Sequence, residues 1–134
     1  MSEIIGHVDA RDRPIVSLAV PGQEDGLLVL IDTGFNKELL IHETDAARLK
    51  CEVSDVTMQV ELAGRERRIL SLARTRIVWF GHEREIDVLI ARTEQPRATL
   101  ADEPVALLGT ALLSPHKLTV DFATRRVVIA ESDE

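Results

Sequence analysis

The sequence predicts a mainly β domain, a small closed barrel of short strands with one or two short helices. Short apolar or alternating segments follow one another closely, each bounded by Gly, Pro or Asp. Helix-favouring runs are few and brief. At 134 residues the chain suits one domain around one core, and it shows no internal repeat or low-complexity segment.

The elements follow in order. EIIGHV (3–8) and PIVSLAV (14–20) are the first two strands, and PGQEDG (21–26) is a turn by composition. LLVLI (27–31) is a continuous apolar run, which predicts a strand buried on both faces. ELLI (38–41) is a further strand. HETDAARLK (42–50) predicts a short helix, with Ala46 and Leu49 three apart. In DVTMQVEL (55–62), Val56, Met58, Val60 and Leu62 alternate onto one face. AG (63–64) then turns the chain into RERRILSLARTRIVWF (65–80), so a hairpin with its tip near Gly64 is expected. EREIDVLIA (83–91) is a strand, and RTEQPRATLADEP (92–104) is a polar loop. VALLG (105–109) is a second apolar run ending in glycine. TALLS (110–114) opens a short helix that Pro115 stops. KLTVDF and RVVIA form a closing hairpin, and ESDE (131–134) is an acidic tail.

Composition excludes several classes. Net charge is −7, which argues against a nucleic acid, since phosphate needs a positive surface. The basic stretches RERR (65–68) and RTR (74–76) read as a solvated hairpin edge. Tyrosine is absent and aromatics are 3%, too few for base stacking. No apolar run reaches the roughly 18 residues of a membrane span, and the N-terminus lacks the pattern of a signal peptide. The single cysteine, Cys51, allows no intrachain disulfide, so a reducing, cytoplasmic location is expected.

Motif tests are mostly negative. His42-Glu43 and His82-Glu83 do not extend to H-E-x-x-H, because Ala46 and Ile86 stand where the second histidine would be. No metal and no cofactor is therefore expected, and His7, His42, His82 and His116 read as surface residues. There is no C-x-x-C, G-x-S-x-G or G-x-G-x-x-G. Cys51 reads as an inert thiol, and Trp79 and Phe80 as packing residues. LIDTG is similar to the phosphate loop of actin-like ATPases, but those need two large α/β lobes that this chain cannot build.

LLVLIDTG also resembles the active-site strand and loop of aspartic proteases. ALLGTALL (106–113) resembles the hydrophobic-hydrophobic-Gly element that packs behind that loop in retroviral proteases, and a hairpin lies between, where that family has its flap. The likeness spans about residues 14–122 and is nearest to the small bacterial and archaeal retropepsin-like proteins. It implies a closed acid-protease-type barrel over 1–134, with a flap-like hairpin at about 55–72. The chain would be a single lobe of a homodimer, because it carries one Asp-Thr-Gly. The activity implied is that of an aspartic endopeptidase. Two carboxylates about 3 Å apart share one proton, since like charges that close cannot both ionise. One takes a proton from the attacking water while the other donates to the scissile carbonyl.

The resemblance assigns catalysis to Asp32, with Thr33 bonding across the two-fold axis and Gly34 allowing the tight loop. Phe35, Asn36, Leu62, Ala63 and Gly64 would meet an extended peptide substrate. Leu107, Leu108 and Gly109 would support the loop from behind. The retroviral dimer interleaves its termini, and the terminal strands EIIGHV and RVVIA could do the same. Two departures stand out. Phe35 occupies a position that is usually small. Asn36 and Thr110 stand where the retroviral pattern has an acid and an arginine, so that charge pair is missing. These departures favour an alternative, a non-catalytic retropepsin-like module that dimerises or binds peptide.

Overall fold

The computed structural model describes residues 2–61, 67–91 and 106–132. Within them, ten strands and two short helices follow one another: β1 (Glu3–Val8), β2 (Pro14–Leu18), β3 (Leu27–Ile31), β4 (Leu39–His42), α1 (Glu43–Arg48), β5 (Glu52–Glu61), β6 (Arg67–Trp79), β7 (His82–Ala91), β8 (Ala106–Leu108), α2 (Thr110–Leu113), β9 (Lys117–Asp121) and β10 (Arg126–Ala130). Every expected strand and both short helices are present, and the chain is mainly β.

All ten strands form one sheet in the order β5-β6-β7-β4-β8-β3-β2-β1-β10-β9. The closed barrel is not found. β5 and β9 are the ends of the ladder. The sheet curls, and one isolated bridge between Ala19 and Val78 fastens it, with Val78 N–H donating to the Ala19 carbonyl at 2.8 Å. Closure needs a continuous staggered ladder, and a single bridge does not supply one.

Curling gives the sheet one main core on its inner face. Val16, Leu18, Val29, Ile31, Leu39, Ile41, Ile77, Val88, Leu108, Leu112, Val127 and Ile129 all belong to it. Alternation decides which residues enter, since successive side chains leave opposite faces of a strand. β3 corrects the expectation of burial on both faces: Leu27, Val29 and Ile31 are buried, but Leu28 is 56% exposed. Trp79 and Phe80 are buried in the same core, as packing residues. A smaller cluster forms on the other face from Phe35, Leu40, Leu70, Leu89 and Ala91.

One further reading changes. His42 is buried, not on the surface. It caps α1, its Nδ1 accepting from Thr44 N–H at 3.2 Å. The terminal strands pair with each other inside one chain, from Glu3 opposite Ala130 to His7 opposite Arg126. β1 pairs with β10 from Glu3 to His7 but with β2 only at His7 and Val8, and β10 lies between β1 and β9.

The turn from β1 to β2 is held by Asp9. Its Oδ1 accepts from the Arg11 and Arg13 amides at 2.9 Å each, and its Oδ2 pairs with the Arg13 guanidinium at 2.9 Å. These contacts, the Arg13 side-chain bond foremost, hold the Asp9 carboxyl down to about 2. A folded-state value below the unfolded one stabilises above the ordinary carboxylate range and loses that effect as pH falls toward about 2. Asp9→Ala is therefore expected to lower the melting temperature at neutral pH, with the gap from wild type closing in strong acid. Thermal melts of both proteins over a pH series check this.

Candidate active-site loop

The loop that carries Asp32 joins β3 to β4, yet these strands are not neighbours. β8 lies between them, parallel to β3 (Ile31 opposite Leu108) and antiparallel to β4 (Leu39 opposite Leu108). The reason is local. Ala106 and Leu108 are fully buried in the main core, and Leu107 turns to the second cluster, so a three-residue apolar strand is covered on both faces.

This insertion makes the loop's hydrogen bonds. Asp32 N–H donates to the Leu108 carbonyl at 3.0 Å, and Gly109 N–H donates to the Glu38 carbonyl at 3.0 Å. Thr110 N–H donates to the Phe35 carbonyl at 2.8 Å, and the Thr110 hydroxyl reaches the same oxygen at 3.4 Å. Within the loop, Phe35 N–H donates to the Asp32 carbonyl at 3.1 Å and Gly34 N–H to Asp32 Oδ1 at 2.9 Å. Asp32 is half-buried, while Thr33, Gly34 and Asn36 are exposed beside it. The carboxylate thus sits at the mouth of the loop on a backbone fixed from behind.

The two glycines differ. Gly109 has no room for a side chain: a Cβ would meet the Lys37 carbonyl oxygen at 2.1 Å and the Phe35 carbonyl oxygen at 2.6 Å. Gly34 lacks the positive φ that would demand glycine, and a Cβ there would meet Asp32 Oδ1 at 3.3 Å. Its smallness spares the carboxylate from crowding more than it permits the turn.

Phe35 does not line an open cleft in the single chain. Its ring is 3% exposed and packs with Leu40, Leu70 and Leu89, with Leu107 against it. In the single chain the bulky residue, which the resemblance gave to substrate contact, is a core anchor under the loop. Leu62, Ala63 and Gly64 lie outside the described residues. The hairpin that leads to them is formed, β5 pairing with β6 out to Glu61 opposite Arg67.

The missing charge pair has substitutes. Thr110 supplies the neutral bonds to Phe35 described above. Glu38, which the sequence did not single out, accepts from Asp87 N–H at 3.0 Å and pairs with Arg84 at 3.3 Å. Its carboxylate thereby ties the loop to β7. The only sequence signal was an acid at the start of an apolar strand.

Other candidates settle as structural. Burial pushes the Cys51 thiol up, opposed by a bond with Thr75, and a less ionised thiol is a poorer nucleophile. Arg74 is engaged by Glu85 at 2.9 Å and Asp87 at 3.2 Å, which leaves the 74–76 stretch as a charge-balanced edge. Among the described residues no group of three or more His, Cys, Asp or Glu is placed to hold a metal ion, and no helix is long and apolar enough to cross a membrane. No protein-family model matches the chain, and no curated protein matches it.

Gly109→Ala is expected to destabilise by about 1–3 kcal/mol through overpacking, whereas Gly34→Ala folds with near wild-type stability. Chemical denaturation of the two variants measures the difference. Glu38→Ala is expected to speed amide exchange at Asp87 and Gly109, while Glu38→Gln, which keeps an acceptor, protects Asp87. Residue-resolved hydrogen exchange checks both.

Proposed function

We propose that the chain is one half of an aspartic endopeptidase of the retropepsin-like type, its catalytic dyad formed by Asp32 from each of two copies. One observation carries the reading. A strand ending in Asp-Thr-Gly and a strand ending in Leu-Leu-Gly are not merely present in sequence; they are hydrogen-bonded neighbours, and the second backs the loop of the first. That is the relation the resemblance implies for Leu107, Leu108 and Gly109.

In this reading Asp32 of each copy meets its counterpart across a two-fold axis. The pair binds one proton, activates water and donates to the scissile carbonyl oxygen. Thr33, exposed on the loop, bonds across the axis. The β5–β6 hairpin closes over an extended peptide, whose backbone pairs with protein strands. The chemistry is assigned to side chains alone, and the setting is cytoplasmic.

The alternative is a non-catalytic dimerising or peptide-binding module. Asp32 Oδ1 accepting from Gly34 N–H is what a turn-capping aspartate does in any loop, and this bond favours that reading. The half-buried carboxylate at the loop mouth, beside two exposed small residues, favours the enzyme.

Wild type is expected to cleave members of an extended-peptide library, best at mildly acidic pH, and Asp32→Asn to lose at least about 100-fold of that activity. Mass spectrometry of the digests reads both. Equal cleavage by the two proteins, or none by either from mildly acidic to neutral pH, rejects the catalytic reading.

A further inference from the structure

We infer that the cavity at the C-terminal end of α1 binds a free apolar α-amino acid. Its carboxylate would rest on Lys50 and Arg76, its ammonium on Glu52, and its side chain on Val20, Pro21 and Leu49. The cavity measures about 280 Å³, close to the lower end of small-ligand pockets, roughly 300–1,000 Å³. None of the residues lining it belongs to the Asp32 loop, to β8 or to the second cluster. The inference therefore stands apart from the protease reading.

The walls are held in place by the chain itself. Gln23 Nε2 donates to the Arg48 carbonyl at 2.6 Å, and the Arg48 guanidinium donates to the Asp25 and Gly26 carbonyls at 3.3 and 3.1 Å. These bonds fasten the turn before β3 to the end of α1. On the other side, the buried Thr75 hydroxyl donates to the Leu49 carbonyl at 2.9 Å, fastening β6 to the same end. Val20 and Leu49 belong to the main core, so the floor is apolar and fixed. A preformed pocket spares a ligand the cost of ordering it.

The charges at the rim choose the ligand. Arg74 is already engaged by Glu85 and Asp87. Lys50, Glu52 and Arg76 are exposed, and among the described residues their side chains have no hydrogen-bond or ion-pair partner. Two free cations and one free acid suit a molecule that carries both charges, with its carboxylate taking the two donors. An inorganic anion would leave the apolar floor uncovered and set its charge against Glu52. Lys50 is also costly where it stands. Its φ is 55°, the left-handed position just after α1, where glycine is the usual residue. A long cationic side chain is thus kept where the backbone favours none.

The test uses the full chain and L-leucine, followed through the amide chemical shifts of Lys50, Glu52, Thr75 and Arg76. Saturable shifts are expected there, with a dissociation constant on the order of a millimolar. Leucinamide lacks the carboxylate and N-acetyl-leucine lacks the ammonium. Each is expected to bind about tenfold more weakly, the loss of one charged contact. Glu52→Gln, on the exposed start of β5, is expected to weaken leucine about tenfold and to leave N-acetyl-leucine as in wild type. Lys50→Gly relieves the left-handed strain and keeps the fold, yet is expected to weaken both ligands about tenfold. The absence of saturable shifts, equal binding of leucine and either analogue, or an unchanged leucine constant in either variant overturns the proposal.

Discussion

The structure depends on three residues, Ala106–Leu108, lying between two strands that the chain itself joins. β3 and β4 are connected by a short loop but do not pair, because β8 is threaded between them. Without it, the backbone groups of Asp32, Phe35, Lys37 and Glu38 lose their partners outside the loop. Their bonds to Leu108, Thr110, Ala111 and Gly109 all come from this strand and its extension. Buried backbone groups must be paired somewhere, and β8 is where this loop's are paired. Burial of Leu108 and Ala106 at 0% exposure supplies the driving force.

Gly109 is the price of that arrangement, since a backbone carbonyl occupies the place of its Cβ. Phe35 is its complement. Its ring is buried with Leu40, Leu70 and Leu89. The bulky ring, at a position that the resemblance expects to be small, is a core residue under the loop. Thr110 and Glu38 then fasten its far side by one neutral contact and one ionic one. The ion pair with Arg84 is partly exposed and contributes no more than about 1 kcal/mol; the bond from Asp87 N–H gives Glu38 its positional role.

Much of this was legible in the sequence. Alternation and turn residues located all ten strands, because each carries its own local signal. The loop and its backing strand were legible as a pair of motifs. What escaped were properties that depend on sheet order. Leu28 reads as buried in LLVLI, yet one face of β3 looks outward once β2 and β8 flank it. His42 reads as a surface residue, yet it ends a strand buried along its length. That the terminal strands β1 and β10 pair with each other, and that β9 is left at the end of the sheet, is visible only in the strand order. Glu38 escaped because its partners, Arg84 and Asp87, lie 46 and 49 positions away.

The central claim is that the working site takes one Asp32 from each of two chains. Mixing wild type with Asp32→Asn at constant total concentration tests it most directly, with peptide cleavage read against the wild-type fraction after subunits exchange. A shared dyad predicts that activity falls as the square of that fraction, because only wild-type pairs carry two aspartates. A linear fall, with each wild-type chain active whatever its partner, would contradict the account.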